Sequence, residues 1–322
     1  MSSDLKMLAI GAATQDVFLQ GGTVFKPTLE DGVSYEHLPL GAKLSVDDMV
    51  FATGGNALNA ATTFARQGMQ TYFMGVVGTE PAGEVVMRTL DEEEIDTRYV
   101  RQSDAYRTSY STVLLAPTGE RTILTYHGSK LLPDGSNITL EAVAEADWLY
   151  LSSVDSMELL EKIVSVAAKH GTKVAINPSG RELAQADKLR SILDDVAVLL
   201  TNKEEMAQIV DGKTTEELLR RAAHITETVV ISDGPNGVLA TDGKKLVKAG
   251  MYEDVKVISR LGAGDAFGSG FVAAYAQAKP LEEAVTFASA NATSVVQHIG
   301  ATVGILHKHA AIHSMPLEVT DL

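Results

Sequence analysis

The sequence predicts an α/β fold: a doubly wound, mostly parallel sheet flanked by helices, with a small antiparallel β lid. Three observations support this prediction. Short apolar runs alternate with longer stretches of helical periodicity, the runs are continuous rather than alternating, and two segments lack this rhythm. Continuous apolar strands are typical of parallel sheets, because helices bury both sides of each strand.

Six apolar runs are predicted as strands of the main sheet: MLAIGA (7–12), TYFMGVV (71–77), WLYLS (148–152), KVAIN (173–177), VAVLLT (196–201) and TVVIS (228–232). The predicted helices cover residues 56–67, 83–92, 157–169, 183–193, 203–210, 215–224, 264–278 and 281–298. Because the two patterns follow each other along most of the length without a linker, the 322 residues are interpreted as one domain.

Two segments interrupt the alternation and predict the small sheet. Residues 17–53 show no helical pattern but carry the strand-like runs VFLQ, VSYEHL and MVFAT. Residues 107–127 hold two alternating runs around Pro117-Thr118-Gly119, a turn sequence that predicts a hairpin. Long insertions in a compact domain are usually functional, so we favour a lid over decorative edge strands.

The composition excludes several classes of function. There is no cysteine, which excludes disulfides and thiolate zinc sites. Lys and Arg total 27 against 42 Asp and Glu, without a basic cluster, so we expect no nucleic-acid partner. No apolar run reaches the roughly 18 residues of a membrane-spanning helix, and the first apolar run is typical of a strand rather than a signal peptide. We therefore expect a cytoplasmic protein that does not bind membranes.

The segment RLGAGDAFGSGF (260–271) places a carboxylate inside a glycine-rich helix start. Its glycine spacing imitates a dinucleotide fingerprint, but that fingerprint belongs to the first βα turn and has no acid where the pyrophosphate would bind, so a dehydrogenase is disfavoured. Phosphoryl transfer uses both the glycine-rich helix start and the carboxylate within it. Amides of Gly262, Ala263 and Gly264 would stabilise the transferring phosphate, and Asp265 would accept the proton of the attacking hydroxyl. Taken alone, Asp265 is also compatible with a helix cap.

This segment resembles the second signature of the ribokinase-like (PfkB) carbohydrate kinase family, and GGNALNAATTFARQGMQTYFMGVVG (54–78) resembles the first. The order of features matches the family along nearly the entire chain. The resemblance implies an ATP-dependent, magnesium-requiring kinase that acts on a primary hydroxyl of a small sugar or nucleoside. A nucleoside acceptor stays open, because the long segment between Asp16 and Gly54 could cover a base. A catalytically silent sugar-binding protein is disfavoured, because pure binding has no use for Asp265.

The resemblance also implies roles for individual residues. Asp265 would be the base, and the amides from Gly262 to Gly264 would form the anion hole. The implied acceptor contacts are Asp16, at the end of the first strand, with Gly54, Gly55 and Asn59. The implied nucleotide contacts are Asn202, Ser232, Gly234 and Asn291, where Asn291 could instead be a solvated polar residue of its helix. Glu205 would organise magnesium mostly through water, although Asn202 and Glu205 also have capping-box spacing.

One departure from the family concerns potassium. Many relatives carry an Asp-Thr-Thr type triplet that helps to bind an activating potassium ion. This chain has Ser259-Arg260-Leu261 at that place, which argues against potassium activation. Arg260 either supplies a substitute positive charge or simply reaches solvent.

Other features bear on the acceptor and on assembly. A glutamate that ribokinase uses near the end of the fourth strand is replaced around Ser152 and Ser153, which argues against assuming ribose. A phosphosugar acceptor would need extra basic residues, for which Arg107 on the predicted hairpin is the candidate. A lid sheet with open edges often pairs with that of another subunit, so a homodimer through the lid is also predicted.

Overall fold

The computed structural model describes residues 5–252, 255–312 and 314–322. Its strands are β1 (Lys6–Gly11), β2 (Thr14–Gln20), β3 (Thr28–Glu30), β4 (Val33–Tyr35), β5 (Asp48–Gly54), β6 (Gln70–Val77), β7 (Val100–Gln102), β8 (Ser109–Leu115), β9 (Arg121–Tyr126), β10 (Trp148–Ser152), β11 (Lys173–Asn177), β12 (Val198–Asn202), β13 (Thr228–Ser232), β14 (Val238–Thr241), β15 (Lys245–Ala249) and β16 (Leu317–Asp321). Its α-helices are α1 (Asn56–Arg66), α2 (Pro81–Glu92), α3 (Leu140–Glu145), α4 (Met157–His170), α5 (Gly180–Leu183), α6 (Ala186–Ile192), α7 (Lys203–Ile209), α8 (Thr215–Ala222), α9 (Ala263–Ala276) and α10 (Leu281–Val295).

Within these ranges, ten strands form the main sheet in the order β16-β15-β14-β13-β12-β11-β10-β1-β6-β7. The strands from β13 to β7 are parallel, and β14, β15 and β16 extend the sheet with antiparallel pairings. The predicted α/β fold is therefore confirmed, with all six predicted strands in the sheet. The antiparallel extension was not predicted, because partly exposed strands such as β16 lack a continuous apolar run.

Helices cover both faces of the sheet because side chains alternate along each strand. On β1, Met7 packs with Phe64 of α1 and Phe271 of α9 in one buried cluster. Its neighbours Leu8 and Ile10 belong to a second cluster on the opposite face, which α4 and five further helices help to form. No helix of the described residues is long and apolar enough to cross a membrane.

The smaller sheet has the order β5-β2-β8-β9. The pairs β2–β5 and β8–β9 are antiparallel, and β2 pairs with β8 in parallel. The predicted hairpin around Gly119 is confirmed as the β8–β9 turn, where Gly119 has a φ of 84°. The run VSYEHL differs from its prediction: it contributes β4, which pairs only with β3 in a separate hairpin.

Asp16 also lies elsewhere than predicted, because the chain leaves the main sheet earlier than the apolar pattern suggests. β1 ends at Gly11, where a Cβ would lie 1.9 Å from the carbonyl oxygen of Ser152. The smaller sheet already begins at Thr14 with β2. Asp16 therefore projects from the smaller sheet and not from the end of the first strand.

The predicted helix 183–193 is divided into α5 and α6. A capping box of Ser179 and Glu182 starts α5 earlier than predicted. Gln185 then adopts a φ of −118°, which is not helical, and a second helix begins at the next residue. Local hydrogen bonding by Ser179 thus prevails over the apolar periodicity.

Candidate active site

A cavity of about 520 Å³ lies at the carboxyl ends of β1, β10 and β11, beneath the smaller sheet; we call it the acceptor cavity. Asp16, Asn59 and Asp265 all line it, although they are far apart in the sequence. Carboxyl ends of parallel strands meet at one edge, which is the usual binding position in such sheets. The fold therefore brings together the predicted acceptor residues Asp16, Gly55 and Asn59 with the predicted base, whereas Gly54 is not among the lining residues.

The start of α9 has the open backbone that an anion site needs. Gly262 is the N-cap residue with a φ of 81°, and a Cβ on it would lie 2.5 Å from the Cβ of Ala301, so only glycine fits. No atom lies within 4 Å of a Cβ on Gly264. The amide of Ala263 makes only a long contact of 3.5 Å to the carbonyl of Arg260. The N–H groups at this helix start are thus available to an anion.

Asp265 lies in the first turn of α9 and accepts a hydrogen bond of 2.8 Å from Asn59 Nδ2 to its Oδ2. The pKa of Asp265 is raised to about 6, chiefly by burial; the Asn59 hydrogen bond opposes this shift, and the charge of Glu205 adds to it. No side chain caps α9, so the helix-cap interpretation of Asp265 is not what the structure shows. A carboxylate with this pKa is suited to accept a proton near neutral pH.

Asp16 is the second carboxylate of the acceptor cavity and is only 4% exposed. Burial raises its pKa to about 6, a hydrogen bond from Ser111 lowers it, and the charge of Asp265 raises it. A Cβ on Gly54 would lie 2.3 Å from Asp16 Oδ2, and one on Gly55, whose φ is 95°, would lie 2.6 Å from the carbonyl oxygen of Ala12. Both glycines are needed for backbone to pass this closely behind the cavity.

Asn59 leaves one polar atom for a ligand. Its Nδ2 donates to Asp265, while its Oδ1 is buried without a hydrogen-bond partner among the described residues. Buried acceptors of this kind are nearly always satisfied, by protein, water or ligand. A hydroxyl group bound in the acceptor cavity would complete this site.

Asn202 and Glu205 form a reciprocal capping box at the start of α7. Glu205 N–H donates to Asn202 Oδ1 at 2.8 Å, and Asn202 N–H donates to Glu205 Oε2 at 2.8 Å. Burial raises the pKa of Glu205, the Asn202 amide lowers it, and Glu204 raises it. The structure thus shows the capping-box interpretation, and the charge of Glu205 acts on Asp265. Neither residue is among those that line the acceptor cavity, and a contact of this pair with the nucleotide or its magnesium stays a prediction.

A magnesium ion held near Glu205 stays a prediction, and the residues present are compatible with it. Among the described residues, no three Asp, Glu or His side chains cluster as a ligand set. Magnesium ordinarily keeps several waters and takes one or two carboxylates together with substrate phosphates. Glu205 offers its second oxygen, Oε1, which the cap does not use.

A second cavity of about 270 Å³ lies on the other side of the α9 start, and we call it the nucleotide cavity. The predicted contacts Ser232 and Gly234 line it, as do Ala263 and Gly264 from the start of α9. Its wall is largely apolar, with Phe267 among its residues. The glycine-rich loop therefore separates two cavities, one on each side of the predicted phosphate position.

Asn291 has a different environment from the one predicted. It is fully buried, its Nδ2 donates to the carbonyl of Ala266 at 2.8 Å, and its Oδ1 accepts from the amide of Leu306 at 2.9 Å. The side chain is therefore neither solvated nor among the residues lining the nucleotide cavity. Ser289 and Thr293, two residues before and two residues after Asn291, line that cavity instead.

Sequence reasoning missed the basic residues of the acceptor cavity, which are Lys130 and Arg181. Arg107 is not among the lining residues, because its Nη1 donates to the carbonyls of Asp104 and Tyr106 at 2.8 and 2.9 Å. The position of Arg181 just after a predicted strand was the available signal, since loops at that end of a parallel sheet form the site.

Comparison with known proteins agrees with this geometry. The pfkB family carbohydrate kinase pattern matches residues 31–308. A ribokinase of Haemophilus influenzae is 28% identical, over 82% of this chain and 88% of its own length. A putative Ribokinase II from E. coli, solved in complex with ATP and Mg²⁺, has a TM-score of 0.78 at 15% identity, covering 94% of this chain and 96% of that one. An adenosine kinase from Sinorhizobium meliloti has a TM-score of 0.76 at 19% identity, covering 92% of this chain and 95% of that one.

Proposed function

Because the chain belongs to the pfkB family of carbohydrate kinases and is a phosphotransferase with an alcohol acceptor, we propose that it transfers the γ-phosphate of ATP to a primary hydroxyl of a small sugar. One observation supports this above the others. Asp265 lines the acceptor cavity, while Gly264, the residue before it, lines the nucleotide cavity. A hydroxyl on one side and a phosphate on the other would therefore meet at the start of α9.

The proposed step assigns a role to each group. The acceptor hydroxyl donates its proton to Asp265 as its oxygen bonds to the γ-phosphorus, and the bond from that phosphorus to the ADP oxygen breaks. Amides from Gly262 to Gly264 stabilise the negative charge of the transferring group. Asp16 and Asn59 orient the acceptor through its other hydroxyls. Magnesium, when bound, would neutralise the ATP phosphates, and Glu205 would hold it mostly through water.

The smaller sheet covers the acceptor cavity with side chains that include Ser111, Ile123 and Thr125. We assign it the role of a lid. Excluding water from the acceptor side prevents hydrolysis of ATP and strengthens the electrostatic interactions within the site.

A nucleoside acceptor is the second candidate, because an adenosine kinase has the same fold. The lining of the acceptor cavity favours the sugar. Among the described residues that line it, none is Phe, Tyr or Trp, and His127 is the one aromatic ring. A purine or pyrimidine base is usually bound by stacking on such rings. A silent binding protein is disfavoured, because Asp265 and the free amides serve a reaction rather than binding.

The test is a coupled ADP-release assay over pentoses, hexoses and nucleosides with the purified protein. Asp265→Asn should lower kcat by roughly 10²–10⁴ with acceptor and ATP binding kept within a few-fold, because a general base is lost. Asp16→Ala should raise the acceptor KM far more than the ATP KM. Asp91→Asn, on the exposed side of α2, is the control. Near-normal turnover by Asp265→Asn would remove this residue from the mechanism.

A further inference from the structure

One guanidinium among the described residues lining the acceptor cavity has no part in the mechanism above. Arg181 is the second residue of α5 and follows the end of β11 by four positions. It lines the same cavity as Asp16 and Asp265. It is not among the residues that line the nucleotide cavity. A cation placed here faces the acceptor rather than the base or ribose of the donor.

The polar side chains near Arg181 form hydrogen bonds and an ion pair with one another and with the backbone, but not with Arg181. Lys130 Nζ pairs with Asp155 Oδ2, and Asp155 Oδ1 accepts a hydrogen bond of 3.0 Å from Ser179 Oγ. Glu182 accepts the backbone amides of Asp155 and Ser179 at 2.6 and 2.7 Å. The guanidinium of Arg181 makes no hydrogen bond or ion pair with the described residues. Arg181 is exposed and lines the cavity, so its five N–H donors, which have no acceptor among the described residues, can reach a ligand bound there.

Resting on the proposed kinase function, we propose that the acceptor is a sugar derivative with an anionic group, a carboxylate or a phosphate, which Arg181 binds. The planar guanidinium matches both anions with two parallel hydrogen bonds. The anion must lie away from Asp16 and Asp265, which would repel it. β11 is two strands from β1 in the sheet, about 10 Å away, so the loop that carries Arg181 is displaced from the loop leading to Asp16. The reacting hydroxyl and the anionic group therefore lie at opposite ends of the acceptor.

The experiment compares the neutral aldose, the aldonate and the aldose 1-phosphate of five- and six-carbon sugars in the ADP-release assay. At least one anionic form should exceed its neutral parent about tenfold or more in kcat/KM. Arg181→Ala should raise the KM of that acceptor about 10–100-fold, as expected for a lost charged hydrogen-bonded pair, and leave the ATP KM unchanged. Arg181→Lys should recover part of the loss, because it restores the charge but not the fork. Arg107→Ala, outside the cavity, should behave as the unmodified protein. The aldonate and the phosphate arms tell the two anions apart.

Binding of the same compounds by calorimetry without ATP separates this inference from the kinase proposal. Turnover of neutral sugars in preference to every anionic form, unaffected by Arg181→Ala, would overturn the inference and leave the kinase standing. A rise in the ATP KM alone would assign Arg181 to the donor and overturn it as well. Binding of an aldonate or sugar phosphate that is lost in Arg181→Ala, without any ADP release, would keep the anion site and remove the kinase. Failure of every anionic compound to bind or react would overturn the inference.

Discussion

Asp16 and Asp265 share one cavity, and burial makes the charged form of each costly. The pKa of each is raised to about 6, above the ordinary value near 4. For a raised carboxyl pKa, the contribution to folding stability is full below the ordinary pKa and is lost as the pH rises through about 6. At neutral pH both groups therefore cost stability. Hydroxyl groups of the acceptor would offset this cost by donating hydrogen bonds to the two carboxylates.

The acid limb of the pH profile should report this pair. Asp265 must be ionised to accept a proton, so kcat/KM is expected to fall as the pH drops through about 6. Because the charge of Asp265 acts on Asp16, the measured value belongs to the pair rather than to one residue.

Asn59→Ala should move this acid limb to higher pH. It removes the donor that stabilises the charged form of Asp265, so the pKa of that carboxyl should rise. Asn56→Ala is the matched control, since Asn56 also lines the cavity but donates to Ser153 Oγ at 3.1 Å. The measurement is kcat/KM between pH 5 and about 9 for the three proteins. An acid limb at the same pH in Asn59→Ala would mean that another group controls it.

At the scale of elements, the loop before α9 is held by the lid as well as by the body. A Cβ on Gly119, in the β8–β9 turn, would lie 3.5 Å from the carbonyl oxygen of Ile258. Arg260 Nε lies 3.5 Å from Glu120 Oε1 in an exposed ion pair. Such exposed pairs contribute little free energy. The contact nevertheless places the lid hairpin against the loop that carries the anion hole.

This loop predicts a weak response to potassium. Ser259 is buried and its Oγ accepts the amide of Leu261 at 3.3 Å, so the single side-chain hydroxyl of the triplet is engaged in a local hydrogen bond, and Arg260 and Leu261 offer no side-chain oxygen. Replacing potassium by sodium at constant ionic strength should change kcat less than about threefold, or about 0.7 kcal/mol of barrier. Arg260 lines the nucleotide cavity; if it is the substitute charge, Arg260→Ala should slow the enzyme. Activation of the unmodified protein by tenfold or more in potassium would show a cation site built from other groups.

The strength of each local pattern explains which elements could be predicted. The continuous apolar run KVAIN predicts β11 with its observed bounds, because a strand that is buried on both faces needs apolar residues along its whole length. The start of α9 was recognisable because its glycines and its acid are adjacent in sequence. The sequence pattern placed Asp16 at the end of the first strand, although it lies in β2, and it did not identify Arg181 as a site residue. Their positions depend on where the chain leaves the sheet and on side-chain contacts between distant segments, and neither has a local signature.

At the scale of the whole molecule, the lid sheet has one face toward the site and one away from it. Side chains alternate along each strand, so Asp16, Ser111 and Thr125 share the inner face in paired register. The opposite face carries Phe51 and Leu124, which lie in one cross-strand row and are 57% and 59% exposed. Val17, between them in the same row, is buried, so this face is covered at its centre and exposes apolar side chains on β5 and β9. Such an exposed apolar patch on an open sheet is a natural interface.

We therefore expect a homodimer in which the outer faces of two lid sheets pack on each other. Phe51→Glu combined with Leu124→Glu should convert the dimer to a monomer, because burying four carboxylates in a two-fold interface is unfavourable. Leu40→Glu is the control: Leu40 is fully exposed but lies in the loop between β4 and β5, outside the sheet. Sedimentation velocity at micromolar concentration gives the oligomeric state. Either a monomeric unmodified protein or a double variant that stays dimeric would contradict this interface. In such a dimer, each lid sheet would be stabilised by its contact with the lid of the partner subunit. The monomeric variant should therefore also show a higher acceptor KM, because its lid would close less often over the cavity.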